Sequence, residues 1–164
     1  MRRRIYTFFR DFFLNTLAGS YLCPGRIRIL IYRLFGNKIQ TSRISPKCFV
    51  GGGNLSIGHR SYVSYGCFFD LTNRIVIGDD VHIAMQSTFI TSTHKIANSN
   101  RRAGEVISSP IVIKKGCWIG GRVTILPGVT IGEGTIIGAG SVVTKDCESN
   151  SVYVGVPAVK IKDL

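Results

Sequence analysis

The chain has 164 residues, which is enough for one domain with a sizeable core, and nothing in it suggests a second domain. Its 19 glycines recur at regular positions, which excludes a disordered glycine-rich chain. Of the formal net charge of +12, +9 belongs to residues 1–47, where ten Lys and Arg accompany the single acid Asp11. The basic character is therefore a property of one segment.

The start of the chain predicts two short helical segments. The first covers residues 1–22 and has an apolar stripe made mostly of phenylalanine, and the Cys-Pro-Gly at residues 23–25 ends it. The second covers residues 26–35. Neither approaches the ~20 uninterrupted apolar residues that a membrane-spanning helix needs. The stripe of the first segment consists of Ile5, Phe8, Phe9, Phe12, Phe13 and Leu17.

Three interpretations of this basic amphipathic segment, residues 1–43, stay open. It can cap the open end of a repeat domain, because repeat proteins need a polar or helical end. Alternatively, residues 1–35 can lie on an anionic membrane surface, since basic helices rich in aromatic residues suit that role. Nucleic-acid binding is the weakest alternative because no known motif accompanies the charge, and we expect no nucleic-acid partner. The first two interpretations are compatible.

From residue 44 onward an aliphatic or aromatic residue recurs at every sixth position, with glycine-rich turns between. The repeat is loose at first and uninterrupted in residues 113–143. A period of six grouped in threes excludes a helix or a meander. It predicts an all-β solenoid of parallel strands whose 18-residue coils stack at roughly 4.8 Å. The most regular positions are Ile113, Ile119, Ile125, Ile131, Ile137 and Val143.

The repeat sets the predicted boundaries. We expect a β-helix of about five coils at residues 44–155 and a C-terminal tail at residues 156–164. The pattern fails for one long interval, residues 95–110, which is polar and follows Ser92-Thr93-His94. A long loop that leaves a regular scaffold is where functional residues usually lie.

The five cysteines are far apart, with no CxxC pair and no secretory signal peptide before them. Four of them fall four residues after a repeat position, which is the small inward position of each hexapeptide. We therefore predict free core thiols in a reducing compartment, and hence a cytoplasmic location. These four are Cys48, Cys67, Cys117 and Cys147.

The three histidines argue against a metalloenzyme. His59, His82 and His94 are too widely spaced for a zinc site of the γ-class carbonic anhydrase kind, so we expect no metal. His59 and His82 fall at turn or outward positions of the repeat. His94 lies where the repeat gives way to the loop, and a neutral imidazole there can take a proton from an alcohol.

Three strings in the second half of the chain carry a recognisable pattern. They are Cys117-Trp118-Ile119-Gly120-Gly121, the run from Ile125 to Gly132, and the run from Gly138 to Asp146. Together with Thr93-His94, Arg101-Arg102 and Gly104-Glu105 of the loop, they resemble the hexapeptide-repeat O-acetyltransferases, among them galactoside, maltose and bacterial polysaccharide O-acetyltransferases. The resemblance covers about residues 44–162. It implies a left-handed β-helix, acetyl-CoA as the acyl donor, and a homotrimer that binds CoA between adjacent subunits.

The resemblance also implies roles for single residues. His94 matches the catalytic histidine, which would deprotonate the acceptor hydroxyl as it attacks the thioester directly. Glu105 is our candidate for the group that holds His94 in one tautomer, with a solvated loop acid as the alternative. Backbone N–H groups near Gly120 and Gly121 are candidates for stabilising the oxyanion. The residues matched to CoA contacts are Trp118, Gly120, Gly121, Ala139, Thr144, Lys145 and Lys162.

Two positions match less well. Val159 stands where the family usually has a basic residue and Lys160 follows it, so one phosphate contact of the family is not matched at position 159, whereas Lys162 keeps its match. Asp70 occupies a place where the family often has an acceptor-binding polar group, and a turn-capping aspartate is the equal alternative.

The prediction is a trimeric O-acetyltransferase that transfers acetyl from acetyl-CoA to a saccharide hydroxyl. The basic, apolar start is more similar to enzymes of the surface-polysaccharide pathway, which suggests a cytoplasmic protein that lies peripherally on the inner face of the membrane. The alternatives are acetylation of a small hydroxyl compound, such as a free sugar or serine, and a non-catalytic β-helix scaffold.

Overall fold

The computed structural model describes residues 2–164, with side chains from residue 5 onward. Its main body is a solenoid of three parallel sheets, which we name A, B and C in the order in which each coil visits them. Sheet A has the strands β1 (Lys38–Ile39), β4 (Leu55–Ile57), β7 (Ile75–Ile77), β12 (Ile111–Ile113) and β15 (Thr130–Ile131).

Sheets B and C complete the triangular cross-section, and a hairpin interrupts the coils after β9. Sheet B has β2 (Arg43–Ile44), β5 (Tyr62–Val63), β8 (His82–Ile83), β13 (Trp118–Ile119), β16 (Ile136–Ile137), β18 (Ser151–Val154) and the antiparallel β19 (Val159–Asp163). Sheet C has β3 (Phe49–Val50), β6 (Phe68–Phe69), β9 (Thr88–Phe89), β14 (Thr124–Ile125) and β17 (Val142–Val143). The hairpin pairs β10 (Ser92–Ile96) with β11 (Ala103–Ser108).

The predicted parallel β-solenoid is confirmed, with about six turns in place of about five. The added length lies at the N-terminal end, because β1 begins at Lys38, before the predicted start at residue 44, whereas β18 ends at Val154, within the predicted end at residue 155. The predicted tail, residues 156–164, is largely the strand β19, which pairs with β18. A strand of two residues, such as β1, carries too little pattern to mark this first coil in the sequence.

Stacked side chains from successive coils fill the core of the solenoid. The strand positions alternate between an exposed and a buried residue, and the buried members include a stacked pair, Phe69 and Phe89, whose ring centroids are 4.8 Å apart. Cys48, Cys67, Cys117 and Cys147 are buried in the solenoid core as predicted, Cys23 is buried in the cap, and all five thiols are free. The Cys117 thiol, for example, donates to the carbonyl of Gly132 one coil away at 2.9 Å.

The N-terminal segment packs on the open end of the solenoid, as the capping interpretation predicts. It consists of α1 (Arg2–Asp11), a π-helical stretch (Phe12–Leu17) and α2 (Gly25–Leu34). Leu14 and Tyr32 are buried in the main core. The Asn15 side chain accepts a hydrogen bond from the Val50 N–H at 2.8 Å, so it continues the ladder of sheet C beyond its first strand.

The outer side of this N-terminal cap is unusually apolar. Phe8 and Phe9 are 68% and 53% exposed, and further apolar side chains of the cap are also in contact with solvent. Within residues 2–164, no helix is long and apolar enough to span a bilayer. The remaining exposed apolar residues here are Ile5, Tyr6, Phe12, Phe13, Leu17, Tyr21, Leu22, Ile27, Leu30 and Leu34.

Coil stacking depends on glycine at several corners. A Cβ at Gly132 would lie 2.4 Å from the backbone nitrogen of Ser149 in the next coil, closer than real contacts allow. A Cβ at Gly25, the first residue of α2, would meet nothing within 4 Å. Gly132 is therefore required by the packing of adjacent coils, whereas a substitution at Gly25 changes only helix propensity.

We predict that Gly132→Ala lowers the free energy of unfolding by about 1–3 kcal/mol, because the coils must separate to admit the methyl group. Gly25→Ala should be neutral or stabilising by up to about 1 kcal/mol, since alanine is the better helix former. Thermal and urea unfolding of both variants would check this. Equal stability of Gly132→Ala and the wild type would contradict the close-packed corner.

Candidate active site

The hairpin is anchored at its base by a single carboxylate. One oxygen of Asp70 accepts hydrogen bonds from the backbone N–H groups of Thr91 and Ser92, both at 3.0 Å, and from the Ser92 hydroxyl at 2.7 Å. The other oxygen accepts from the Thr72 hydroxyl at 2.7 Å. Burial alone would raise the pKa of Asp70, but the hydrogen bonds from Ser92 and Thr72 outweigh it and hold that pKa below its ordinary value.

These contacts decide between the two interpretations of Asp70 within one chain. Its carboxylate oxygens are occupied by protein donors, so the structure supports the turn-capping role rather than acceptor binding. The Asn73 side chain adds a second anchor by donating to the Ser108 hydroxyl at 3.2 Å. Asp70 therefore positions the hairpin from the preceding coil.

The predicted loop at residues 95–110 is largely this hairpin. Strands β10 and β11 pair with a register shift between His94 and Ile96, and only residues 97–102 form the turn. The turn contains the polar Asn98-Ser99-Asn100-Arg101-Arg102, whose composition hid the strands on either side of it. The hairpin carries His94 outward from the solenoid on a paired strand, a more rigid support than a loop.

His94 is held in one orientation by a backbone carbonyl. Its Nδ1 lies 2.9 Å from the oxygen of Gly104 on the opposite strand. A carbonyl oxygen only accepts, so Nδ1 carries the proton and Nε2 is left as a basic lone pair. Nε2 has no hydrogen-bond partner in the part of the chain that the structure describes. This is the protonation pattern that a general base requires.

The prediction that Glu105 orients His94 is wrong for the two residues of one chain. Glu105 instead pairs with Lys95, whose Nζ lies 2.6 Å from its carboxylate. The physical reason is strand alternation: His94 lies opposite Val106 in the ladder, so Glu105 projects from the other face of the hairpin. The orienting group is the Gly104 carbonyl, which sequence reasoning could not single out because every residue has one.

The residues matched to CoA fall into two groups. The first lies on sheet B and on the corner between sheets B and C. Trp118 projects from sheet B and is 57% exposed, and Ala139 is exposed at the corner, where the N–H of Gly140 donates to the Gly121 carbonyl at 2.8 Å. A Cβ at Gly120 would lie 2.6 Å from the nitrogen of Ala139, so coil packing alone requires this glycine.

The corner between sheets B and C also contains the two backbone N–H groups, of Gly120 and Gly121, that are candidates for stabilising the oxyanion. The Gly120 N–H donates to the Ile137 carbonyl at 2.8 Å and is not available. The Gly121 N–H has no partner among the described residues, so it is the one of the two that can face a developing negative charge.

The second group lies at the corner between sheets C and A. Thr144 and Lys145 follow β17, and both are exposed. This is also the corner from which the hairpin leaves, because β9, β14 and β17 are stacked in sheet C. Sheet C therefore separates His94, Thr144 and Lys145 from the Trp118 and Ala139 group on one chain.

The C-terminal strand extends the first group. Lys162 is exposed on β19 opposite Val152, in the row that continues through Ile136 to Trp118. Lys160 does not replace the basic residue missing at position 159, because its Nζ is paired with Glu148 and Asp163 at 2.7 and 2.6 Å.

The remaining candidates stay outside the site. His59 is exposed and bonded to the Thr41 hydroxyl at 3.0 Å, and His82 is exposed on sheet B. Residues 2–164 contain no cluster of three or more His, Cys, Asp or Glu side chains that could hold a metal ion. Burial raises the pKa of the Cys147 thiol to about 12, which keeps this core thiol protonated.

Comparisons with known proteins show the family to which the chain belongs. Residues 110–145 match the family model described as bacterial transferase hexapeptide (six repeats). The galactoside O-acetyltransferase of Escherichia coli (strain K12) is 37% identical over 136 residues, which are 82% of this chain and 67% of that enzyme. The chain spans only 57–58% of other curated acetyltransferase relatives, from Schizosaccharomyces pombe and Staphylococcus aureus.

Solved structures are similar over almost the whole chain. The maltose O-acetyltransferase from Clostridium difficile 630 has a TM-score of 0.85 at 32% identity, covering 96% of this chain and 86% of that one. The hexapeptide-repeat acetyltransferase from Vibrio cholerae, complexed with acetyl coenzyme A, also has a TM-score of 0.85, at 31% identity with 94% and 85% coverage. The chain is therefore an acyltransferase and belongs to the hexapeptide-repeat acetyltransferases of the galactoside and maltose O-acetyltransferase type.

Proposed function

We propose that the protein transfers acetyl from acetyl-CoA to a hydroxyl of a saccharide. The observation that carries this proposal is His94, whose Nδ1 is bound by the Gly104 carbonyl so that Nε2 is free to accept a proton. The relatives support it, since they include galactoside and maltose O-acetyltransferases and a structure with acetyl coenzyme A bound.

The proposed reaction is a direct transfer. Nε2 of His94 takes the proton of the acceptor hydroxyl as its oxygen attacks the thioester carbonyl, and the Gly121 N–H stabilises the oxyanion. The tetrahedral intermediate then collapses, the C–S bond breaks, and the imidazolium returns the proton to the departing CoA thiolate. The products are the acetyl ester and CoA.

The active unit that we propose is a homotrimer with each site shared by two subunits. Sheet C separates the His94 corner from the Trp118 corner on one chain, so a second copy is needed to bring the two groups together. Exposed apolar side chains lie at both corners and support a contact between subunits. They are Ile96 and Val106 on the hairpin that carries His94, and Met85 beside Gly121. The trimeric family resemblance points the same way.

CoA would then lie along the corner between sheets B and C. Trp118, Gly121 and Ala139 would contact the pantetheine arm, where small residues let the cofactor approach the backbone. Lys162 of the same subunit, with Thr144 and Lys145 of the neighbouring one, would contact the nucleotide end, where an ammonium suits phosphate. Acetylation of a small free hydroxyl compound is the alternative acceptor choice.

We also propose a place on the surface-polysaccharide pathway, at the cytoplasmic face of the membrane. The five free cysteines fit a reducing compartment. The exposed Phe8 and Phe9 on the basic cap fit contact with an anionic lipid surface. Residue 1 and the side chains of residues 2–4, which belong to the predicted contact segment 1–35, lie outside the described residues.

His94→Ala should lower kcat by about 10²–10⁴-fold while acetyl-CoA still binds, because only the proton acceptor is lost. The matched control is Glu105→Gln on the same hairpin, which breaks only an exposed ion pair and should keep kcat within about fivefold. Thiol release with galactoside and maltose acceptors, and calorimetric titration of CoA, measure the two effects. Activity of His94→Ala within about tenfold of wild type would contradict its role as the base.

A mixture of two inactive variants should regain activity if the site is shared. His94→Ala removes the base, and Ala139→Phe blocks the cofactor corner at an exposed position. In random mixed trimers refolded from equal amounts, roughly a quarter of the interfaces would combine an intact His94 from one subunit with an intact Ala139 from the next. About a quarter of wild-type activity should therefore return. Mixing without refolding is the control. No recovery from mixed trimers would place the whole site on one chain.

The membrane proposal predicts cosedimentation with vesicles that contain phosphatidylglycerol and little with pure phosphatidylcholine. The double change Phe8→Ser and Phe9→Ser should weaken binding on the order of tenfold or more, because two apolar side chains no longer enter the lipid. Val159→Ser, which is also exposed but lies on β19, is the control and should bind as wild type does. Equal binding by all three proteins would contradict lipid contact through the cap.

A further inference from the structure

A cavity of about 920 Å³ lies between the cap and the first coils, beside sheet B. Its walls come from α2, from the chain around β2, and from β5 and the turn after it. Two tyrosines, Tyr62 and Tyr65, form part of its lining, and four arginines form another part: Arg26, Arg28, Arg33 and Arg43. We name it the arginine cavity. The proposed contacts of CoA and the base His94 do not involve its lining residues.

The charge of the arginine cavity is not balanced. No carboxylate is found among its lining residues in the described structure. Arg28 is only 4% exposed, and its hydrogen bonds go to backbone carbonyls, those of Ala18 and Ile44 among them, at 2.6 and 3.0 Å. Buried charges are normally paired with an opposite charge, so this guanidinium leaves a positive potential at the cavity wall.

Two further arginines can reach a ligand directly. Arg26 and Arg43 are exposed, and their guanidinium groups have no hydrogen bond or ion pair with any described residue. The neighbouring Arg60 differs, because its guanidinium is paired with Asp80. Two unpaired guanidiniums beside a buried third are suited to a phosphate or carboxylate group, which they can bind through charge-assisted hydrogen bonds.

The position of the cavity connects it to the proposed cofactor corner. The outward residues of sheet B form one row, in which Arg43, Tyr62, His82 and Trp118 are paired in register. Lys162 lies at the far end of the same row. If the nucleotide of CoA lies near Lys162 and pantetheine near Trp118, the acyl end faces the arginine cavity.

We propose that the arginine cavity binds the acceptor and selects an anionic saccharide, one that carries a phosphate or a carboxylate. Arg26 and Arg43 bind the anionic group, and Tyr62 and Tyr65 lie against the sugar, a common division between polar and aromatic lining. That the bound saccharide is the acceptor rests on the proposed acetyl transfer. Anion binding itself can be measured without acetyl-CoA.

The test compares three ligands by isothermal titration calorimetry on the full chain without acetyl-CoA. They are methyl glucoside, which is neutral, glucose 1-phosphate and glucuronate. We expect glucose 1-phosphate or glucuronate to bind about ten- to a hundredfold more tightly than methyl glucoside, because a charge-assisted pair replaces water. Which of the two binds more tightly separates phosphate from carboxylate. Equal or weaker binding of both anions overturns the proposal.

The variants separate the cavity from the general basicity of the chain. Arg43→Gln, at an exposed position without a partner, should keep the fold and lose about tenfold in affinity for the anionic ligand. Lys38→Gln removes the same charge from sheet A and should keep wild-type affinity. Equal weakening by both changes would show attraction by net charge alone and would overturn the proposal. Arg26→Gln should behave as Arg43→Gln does.

Acetyl transfer is measured separately with the same three saccharides. Tight anion binding that Arg43→Gln weakens, together with no thiol release from any saccharide, supports the arginine cavity and contradicts the proposed acetyl transfer. Thiol release with methyl glucoside at least as efficient as with the anionic saccharides supports the transfer and overturns the anionic selection.

Discussion

The structure depends on the close stacking of equivalent backbone positions in successive coils. Each strand residue bonds to the coil before and the coil after, so an outward side chain repeats along a row at the spacing of a β-ladder, about 4.8 Å. Corners must admit the neighbouring backbone, which is why a Cβ at Gly120 or Gly132 would collide with it. A rigid prism follows, and functional groups can only be added on its rows, at its corners or where the chain leaves it.

This constraint explains how much of the fold was predictable. An inward residue must fill the same space in every coil, so the period of six in residues 113–143 predicts the solenoid from local pattern alone. The first coil lies outside the predicted range because Lys38–Ile39 is too short to show a period and pairs with only one parallel neighbour. The hairpin was predicted only as an interruption, since its strands obey a period of two over too few residues.

The sequence predicts where the candidate site lies better than it predicts which residues contact each other there. His94 stands at the only long break in the repeat, a property that the sequence shows directly. Its partner depends on which face of β11 each side chain occupies, and Glu105 lies on the opposite face, with Lys95. The proposed grouping of Trp118 with a neighbour's His94 would depend on a second copy of the chain, which a pattern within one sequence cannot contain.

The cap links stability to the proposed choice of acceptor. Arg28 bonds to carbonyls of both the cap and β2, so it holds the helices on the first coil and at the same time lines the arginine cavity. Its hydrogen bonds go to carbonyl dipoles and none goes to a carboxylate, so a bound anion would supply the opposite charge that the buried guanidinium lacks. An anion in the cavity would therefore bind to the folded protein and stabilise it by mass action. The same guanidinium would then hold the cap on the first coil and contribute positive charge to the arginine cavity.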